Sequence, residues 1–162
     1  MLERVDIVKK FEKKDLVGVE LGVACGSFSK KLVDTNYFKE FYCIDKWNDH
    51  HCMKEYFGVL KYFKNKNVNV LRSTFDEALN LFDNEYFDFI YIDGYAHTGQ
   101  DNGNTLYTWF DKLKKGGIIA GHDYHEDWKA TVTVVDKFII DKNLKLNTTD
   151  EQKWPSWWSV KN

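Results

Sequence analysis

The chain contains few of the residues that cross-link a protein or divide it into parts. Its three cysteines, Cys25, Cys43 and Cys52, are odd in number and unevenly spaced, which argues against a disulfide framework and against a zinc site. It has one proline, Pro155, and no low-complexity tract, so the sequence offers no candidate linker. No apolar run approaches the roughly 18 residues that a membrane-spanning helix needs.

The chain also lacks an excess of charge of either sign. A net charge of −2 gives it no general attraction to nucleic acid or to a membrane surface. By contrast, 43% hydrophobic and 17% aromatic residues argue against a disordered chain. We expect residues 1–162 to form a single domain with a sizeable core. Because no apolar signal segment opens the chain, we expect a cytoplasmic protein.

Short apolar runs alternate with longer amphipathic stretches, a pattern typical of a mostly parallel sheet covered by helices on both faces. The sequence predicts strands at 16–21, 41–45, 68–72, 87–93, 118–121, 144–148 and 157–160. It predicts helices at 2–14, 27–34, 53–63, 75–82, 101–114 and 127–141. The last two strands would form a closing hairpin, which places one antiparallel strand in the sheet.

Residues 18–29, GVELGVACGSFS, are the most informative segment, because they combine a strand ending in an acid, a glycine-rich turn and a helix start. Gly22 and Gly26 remove side chains where the backbone must pass close to a ligand. A helix beginning at Ser27 or Ser29 would offer free backbone N–H groups to a polar or anionic group. The glycine spacing is not the G-x-G-x-x-G of dinucleotide enzymes.

A second acid follows the next predicted strand. Asp45 ends the run 41–45, about 20 residues after the loop, where a β-α-β nucleotide site places the carboxylate that binds ribose hydroxyls. Trp47 could lay its ring against adenine. Each feature has an ordinary alternative: any strand–turn–helix unit can carry two glycines, and Asp45 can cap the following helix.

The glycine-rich loop and Asp45 together resemble motif I and the ribose-binding acid of class I S-adenosylmethionine (SAM) methyltransferases. The resemblance implies a three-layer αβα Rossmann-like fold, with a seven-stranded, mostly parallel sheet in the order 3-2-1-4-5-7-6 and an antiparallel C-terminal strand. It implies SAM contacts from Glu20, Gly22, Cys25, Gly26, Ser27, Phe28, Asp45, Lys46, Trp47, Ser73, Thr74, Phe75 and Asp93. Ordinary helix capping explains Thr74 equally well.

Four acids, Glu20, Asp45, Asp93 and Asp123, fall at the carboxyl ends of predicted strands. Clustered buried charge is costly unless it is paired or bound to a metal. If strands four and five are neighbours, Asp93 and Asp123 can converge with His97. Two carboxylates suit Mg²⁺, whereas an imidazole shifts the preference toward Mn²⁺, iron or zinc.

The block FDFIYIDGYAH followed by LKKGGIIAGHDY resembles the small methyltransferase group related to macrocin and mycinamicin sugar O-methyltransferases, and more distantly catechol O-methyltransferase. The resemblance implies that Asp93, His122 and Asp123 hold a divalent cation, with His122 replacing the usual carboxylate. It implies that His97 is the general base and that Asp93 takes part in catalysis. His97 lies one residue further from Asp93 than in the closest pattern, so a surface histidine remains an alternative.

The predicted function is therefore SAM-dependent, metal-assisted O-methylation of a small hydroxylated acceptor such as a sugar or glycoside. SAM carries an activated methyl group, so the protein must mainly align donor and acceptor and remove the hydroxyl proton. Two alternatives remain open. One is a nucleic-acid methyltransferase, which the balanced charge disfavours, and the other is a SAM-binding domain without catalysis.

The chain is rich in tryptophan, and most of these rings are expected in the core. An exposed subset near the strand ends could stack on the acceptor or form a homodimer patch. The tryptophans to be divided between the core and this exposed subset are Trp109, Trp128, Trp154, Trp157 and Trp158.

Overall fold

The computed structural model describes residues 1–48 and 50–162. Its sheet contains seven strands in the order β3-β2-β1-β4-β5-β7-β6. They are β1 (Leu16–Leu21), β2 (Phe38–Asp45), β3 (Val68–Arg72), β4 (Phe87–Ile92), β5 (Leu113–Gly121), β6 (Asn147–Thr148) and β7 (Trp157–Val160). Strand β7 runs antiparallel to both of its neighbours, β5 and β6. The predicted α/β class, strand order and antiparallel C-terminal strand are confirmed.

Helices cover both faces of this sheet and give the three layers. They are the 3₁₀ helices η1 (Arg4–Lys10) and η2 (Glu126–Trp128) and the α-helices α1 (Ser27–Asp34), α2 (Met53–Phe63), α3 (Phe75–Leu79), α4 (Gly99–Asn102), α5 (Asn104–Phe110) and α6 (Lys129–Asp141). Within the described residues, none of these helices combines the length and the apolar character needed to cross a membrane.

The two halves of the core lie on opposite faces of the sheet, and alternate residues of a strand feed them. On β4, Ile90 and Ile92 pack with Trp109 and Phe138, while Phe89 and Tyr91 pack on the other face. Every residue of β1 and β4 is buried, as expected for central parallel strands covered on both sides. The carboxyl ends of these strands therefore emerge together at one edge of a rigid layer.

Several predicted boundaries differ from the structure. The N-terminal helix expected at 2–14 is only the 3₁₀ helix η1, because the chain becomes extended at Phe11; Asp15, at φ 63, precedes β1. The helix expected at 101–114 covers only 104–110. Strand β5 begins at Leu113 rather than 118, because Leu113 already pairs with Phe87 of β4, and Gly116–Gly117 lie in the irregular stretch that follows.

Three further elements are offset by three residues at one end. Strand β2 begins three residues earlier than the predicted 41–45, at Phe38. Helix α3 ends at Leu79 rather than 82. The strand expected at 144–148 contains only Asn147–Thr148, because only these two residues pair with β7.

Helix α4 is a single turn of left-handed backbone. Gly99, Gln100, Asp101 and Asn102 have φ values of 62, 49, 54 and 54. Left-handed conformation costs about 1–2 kcal/mol for each non-glycine residue, so tertiary contacts must hold the turn. A Cβ on Gly99 would lie 2.5 Å from the Ala130 carbonyl oxygen, which shows how closely the turn packs on α6. The turn anchors the loop that follows β4.

Candidate functional site

The loops that follow β1, β2 and β4 surround a cavity of about 540 Å³ at the carboxyl edge of the sheet. All the predicted cofactor contacts line this cavity except Gly26 and Trp47. The lining thus includes Glu20 and Asp45 from two neighbouring strands, Ser27 and Phe28 from the start of α1, and Asp93 after β4. Parallel strands place these side chains together because their carboxyl ends share one edge.

Gly22 allows the loop after β1 to cross the end of β4. Its φ is 92, and a Cβ at this position would lie 2.3 Å from the carbonyl oxygen of Asp93. Gly26, at φ 77, does not line the cavity; it precedes α1, where a Cβ would lie 3.0 Å from Val59 Cγ2 on α2. The first glycine therefore permits close passage of the backbone, and the second permits helix packing.

The carboxylate of Asp45 holds the glycine-rich loop in place. Its Oδ2 accepts hydrogen bonds from the backbone N–H groups of Val23 and Ala24, each at 2.9 Å. Its Oδ1 accepts one from Trp47 N, also at 2.9 Å. A carboxylate has about four acceptor positions, so one remains for a hydroxyl group in the cavity. The structure thus gives Asp45 a structural role that the sequence did not predict.

Trp47 does not face the cavity as expected. Its φ of 43 turns the side chain inward, where it is 1% exposed. Its ring lies 4.8 Å from that of Tyr56, and Nε1 donates a hydrogen bond to the Ala24 carbonyl at 2.8 Å. Trp47 therefore supports the loop from beneath and cannot stack on a ligand in this position.

Thr74 combines the two roles that the sequence left open. Its side chain accepts a hydrogen bond from Glu77 N and caps α3, and the residue also lines the cavity beside Ser73 and Phe75. Capping fixes the direction in which the loop after β3 faces the cavity.

Glu20 is a buried acid at the end of β1, 1% exposed, and its Oε2 accepts a hydrogen bond from Ser29 Oγ. Burial raises the pKa of Glu20 well above its usual range. The charges of Asp93 and Asp45 raise this pKa further, whereas the bond from Ser29 and the charge of Arg4 oppose them. Keeping such an acid beneath a cavity lowers the stability of the protein.

Glu20→Gln is expected to stabilise the protein at neutral pH. Above about pH 4, where an unfolded glutamate ionises, the folded protein must either keep a proton on Glu20 or bury its charge, and so loses stability as pH rises toward the raised pKa. Glutamine does not titrate. Urea unfolding between pH 4 and 8 should show the variant gaining over wild type as pH rises.

Glu77→Gln is a matched control of opposite sign. Hydrogen bonds from Thr74 and its backbone lower the pKa of Glu77, so the stability it adds is present above about pH 4 and is lost as pH falls through the lowered pKa. If the stability of wild type and that of Glu20→Gln change with pH in the same way, the buried acid does not destabilise the protein as expected.

Asp93, His122 and Asp123 form a cluster at the adjoining ends of β4 and β5. One donor atom from each lies within 4.8 Å of the others. His122 Nδ1 is 2.9 Å from Asp123 Oδ1 and 3.5 Å from Asp93 Oδ1. Two carboxylates and an imidazole at this spacing fit a divalent cation. The structure thus brings the three predicted metal ligands together.

The cluster holds a proton strongly. Burial lowers the pKa of His122, but hydrogen bonds to Asp123 and Asp93 outweigh it and raise that pKa to about 9. At neutral pH the imidazole is therefore a cation between two carboxylates. A divalent ion bound here would displace this proton.

His97 lies on the cavity wall but outside this cluster. The residue is exposed, and its ring lies 4.6 Å from that of Trp128 in an edge-on arrangement. Trp154 lies 6.0 Å beyond Trp128. Trp109 and Trp157 are fully buried in the core, as expected for most of the tryptophans. Among the tryptophans, Trp128 and Trp154 thus form a half-buried aromatic surface beside His97.

Sequence reasoning missed Arg4. Its guanidinium lies 4.4 Å above the Phe28 ring, and Nη1 is 3.5 Å from Asp93 Oδ2. The sequence showed only an N-terminal helix with a lysine-rich face. The one available signal was rarity, since the chain has only two arginines, Arg4 and Arg72.

Strained backbone conformations occur at the carboxyl edge of the sheet, where the cavity lies. Ala24, Trp47, Tyr95 and Asp123 all have positive φ, at 51, 43, 63 and 59. One of them follows each of β1, β2, β4 and β5 within three residues. Such conformations cost about 1–3 kcal/mol each and cluster at functional sites. The cavity and the acidic cluster therefore lie at an edge of the sheet where several residues have strained backbone conformations.

Solved structures share this fold across nearly the whole chain. A proposed rRNA methylase from Clostridium thermocellum has a TM-score of 0.74 at 14% identity, covering 98% of this chain and 95% of that one. Precorrin-6y C5,15-methyltransferase from Geobacter metallireducens has a TM-score of 0.72 at 17% identity, with 98% and 86% covered. A Streptococcus mutans protein in complex with SAH (S-adenosylhomocysteine) has a TM-score of 0.71 at 14% identity, with both chains fully covered.

These identities are low, so the structural likeness bears on fold alone. A sequence comparison with curated proteins finds no match. A family model described as a methyltransferase domain, however, matches residues 17–124, which include the glycine-rich loop, Asp45, Asp93 and Asp123. The chain therefore belongs to this methyltransferase-domain family and has the class I SAM-dependent methyltransferase fold.

Proposed function

We propose that the protein transfers the methyl group of SAM to a hydroxyl group of a small acceptor, with the help of a divalent cation. The observation that carries this proposal is that Asp93 belongs both to the cavity lining and to the Asp93–His122–Asp123 cluster. A methyl donor in the cavity and a cation at the cluster would therefore adjoin each other.

The cavity residues suit SAM in three places. The free acceptor position of Asp45 suits a ribose hydroxyl. The loop around Gly22 brings backbone close to the ligand, next to Glu20, whose carboxylate suits an amino group. Ser73 and Phe75 line the remaining side and suit the adenine. When bound, SAM supplies a methyl group on a sulfonium, and the protein orients it.

The donor set of the cluster favours Mn²⁺ or Fe²⁺ over Mg²⁺, because it includes an imidazole. Asp93 and Asp123 would supply oxygen ligands, and His122 a nitrogen ligand once it has lost its proton. When bound, the cation would lower the pKa of the acceptor hydroxyl. In this proposal Asp93, His122 and Asp123 also orient the acceptor and keep its oxygen in one position.

His97 is the proposed general base, and the aromatic surface beside it is the proposed acceptor wall. A neutral imidazole can take a proton from a hydroxyl group. Trp128 and Trp154 are half-buried, and a sugar or an aromatic ring could pack against their exposed parts. Trp154 is oriented by a hydrogen bond from Nε1 to Asp127 Oδ2 at 3.2 Å.

Titration of SAH by calorimetry, with and without Mn²⁺, tests the proposal. We expect wild type to bind SAH and Asp45→Ala to bind it at least about tenfold more weakly, because a charged hydrogen bond is lost and the loop is released. Asp83→Ala, an exposed acid away from the cavity, is the control. Unchanged affinity in Asp45→Ala would contradict its assignment to ribose.

Methyl transfer to a panel of sugars, catechols and RNA then separates the functions. Transfer to a small hydroxylated compound that a chelator abolishes supports the proposal. Equal methyl transfer in the presence of a chelator would show that the reaction needs no cation. Transfer to RNA alone, or SAH binding with no transfer at all, would replace it with a nucleic-acid methyltransferase or with a SAM-binding domain without catalysis.

A further inference from the structure

Arg4 is held over one end of the cavity by contacts far along the chain. Leu2 N donates a hydrogen bond to Asp150 Oδ2 at 2.7 Å, and Asp150 N donates one to the Leu2 carbonyl at 2.8 Å. Arg4 N donates one to Glu151 Oε1 at 3.3 Å. The N-terminal segment is thus fastened to the segment 150–151, and this fixes the place where the Arg4 side chain enters the cavity.

The guanidinium has unused hydrogen-bonding capacity. It lies on the Phe28 ring, with Nη1 3.5 Å from Asp93 Oδ2 and Nε 3.9 Å from Glu151 Oε1. Both distances are longer than a strong charge-assisted hydrogen bond, in which nitrogen and oxygen lie about 2.7–2.9 Å apart. The buried Tyr91 hydroxyl is a further neighbour. A guanidinium carries five N–H donors in a planar fork, so a ligand carboxylate can still be bound by two of them.

The charges around Arg4 match a group that carries an ammonium and a carboxylate together. Arg4 and Phe28 line the cavity together, and the Asp93 carboxylate and the buried Glu20 carboxyl group line it as well. Among the described residues that line the cavity, Arg4 is the only guanidinium. Arginine binds a carboxylate in a two-bonded geometry that lysine cannot reproduce.

We propose that Arg4 binds the α-carboxylate of the methionine portion of SAM and makes the site selective for ligands that retain it. The inference rests on the proposed SAM site and adds a specificity residue from outside the family model's matched region, 17–124. It predicts that the N-terminal segment takes part in recognising the cofactor.

Comparing SAH with 5′-methylthioadenosine tests this inference, because the second ligand keeps the adenosine and the sulfur but lacks the amino-acid group. For Arg4→Ala, we expect SAH affinity to fall by about 10- to 100-fold, the usual effect of losing a charged hydrogen bond, and methylthioadenosine affinity to change less than about twofold. Arg4→Lys should lie between wild type and Arg4→Ala for SAH.

Lys9→Ala is the matched control, since Lys9 lies in the same 3₁₀ helix and is exposed; it should change neither affinity. Equal weakening of both ligands in Arg4→Ala would overturn the inference in favour of a structural role, and unchanged SAH affinity would overturn it outright. If Arg4→Ala does not fold, the same comparison in Arg4→Lys decides. Wild type that binds neither ligand would instead overturn the SAM site itself.

Discussion

Gly22→Ala is expected to destabilise the protein by about 2–6 kcal/mol and to abolish cofactor binding. The new Cβ would lie 2.3 Å from the carbonyl oxygen and 2.7 Å from the carbonyl carbon of Asp93, which are backbone atoms and cannot rotate away. The residue would also be held at φ 92, where an L side chain is strained. Overpacking and backbone strain each contribute about 1–3 kcal/mol.

Urea unfolding followed by circular dichroism measures this effect, and Gly58→Ala provides the matched control. Gly58 lies inside α2, and a Cβ there meets no atom within 4 Å. Alanine at this position should stabilise the protein by about 0.5–1 kcal/mol, because glycine is unfavourable in a helix. A Gly22→Ala variant as stable as wild type would show that the loop and the end of β4 are further apart than the structure has them.

Asp123→Ala is expected to lower methyl transfer by about 10²–10³-fold and to remove any rise in Tm caused by Mn²⁺. A bound cation stabilises the transition state of such reactions by several kcal/mol. A change of about 1.36 kcal/mol in the barrier changes the rate tenfold. Asp123 lies in the cluster but does not line the cavity, so SAH affinity should remain close to that of wild type. This separation distinguishes loss of the cation from loss of the cofactor.

His125→Ala is the control for this experiment. His125 follows Asp123 by two residues, but its Nδ1 accepts a hydrogen bond from Asp127 N and it lies outside the cluster. It should keep both the Mn²⁺ effect and the activity. If Asp123→Ala also retains the Mn²⁺-dependent rise in Tm, the cation binds elsewhere and the cluster is an ion pair of His122 with its two acids.

The sequence predicted the elements of the sheet and the position of the acids at strand ends, because both depend on local pattern. The alternation of apolar runs and amphipathic stretches reflects burial on both faces of β1 and β4. The three acids could be assigned to strand ends because Asp45 ends β2, Asp93 directly follows β4 and Asp123 lies two residues after β5. Their meeting at one edge follows from parallel pairing, which the alternating pattern already indicated.

The errors occur where backbone conformation or distant contacts overrode a local signal. Trp47 was expected to face adenine, but a positive φ turns its ring under the loop. The pair Gly116–Gly117 has the composition of a helix stop, yet it lies within β5, where both residues form hydrogen bonds with the backbone of Lys161. The residues 99–102 form a left-handed turn that no propensity favours, because packing on α6 compensates for its strain.

Local residue order was thus sufficient to determine the fold class, the glycine-rich loop and the acids at the strand ends, since periodicity and turn chemistry act over a few residues. Only the tertiary structure decided which groups share the cavity. Arg4 reaches Asp93 and Glu151, residues 89 and 147 positions away, as the ion pairs show. No neighbouring residues encode such contacts, because they form only when the whole sheet brings the two ends of the chain together.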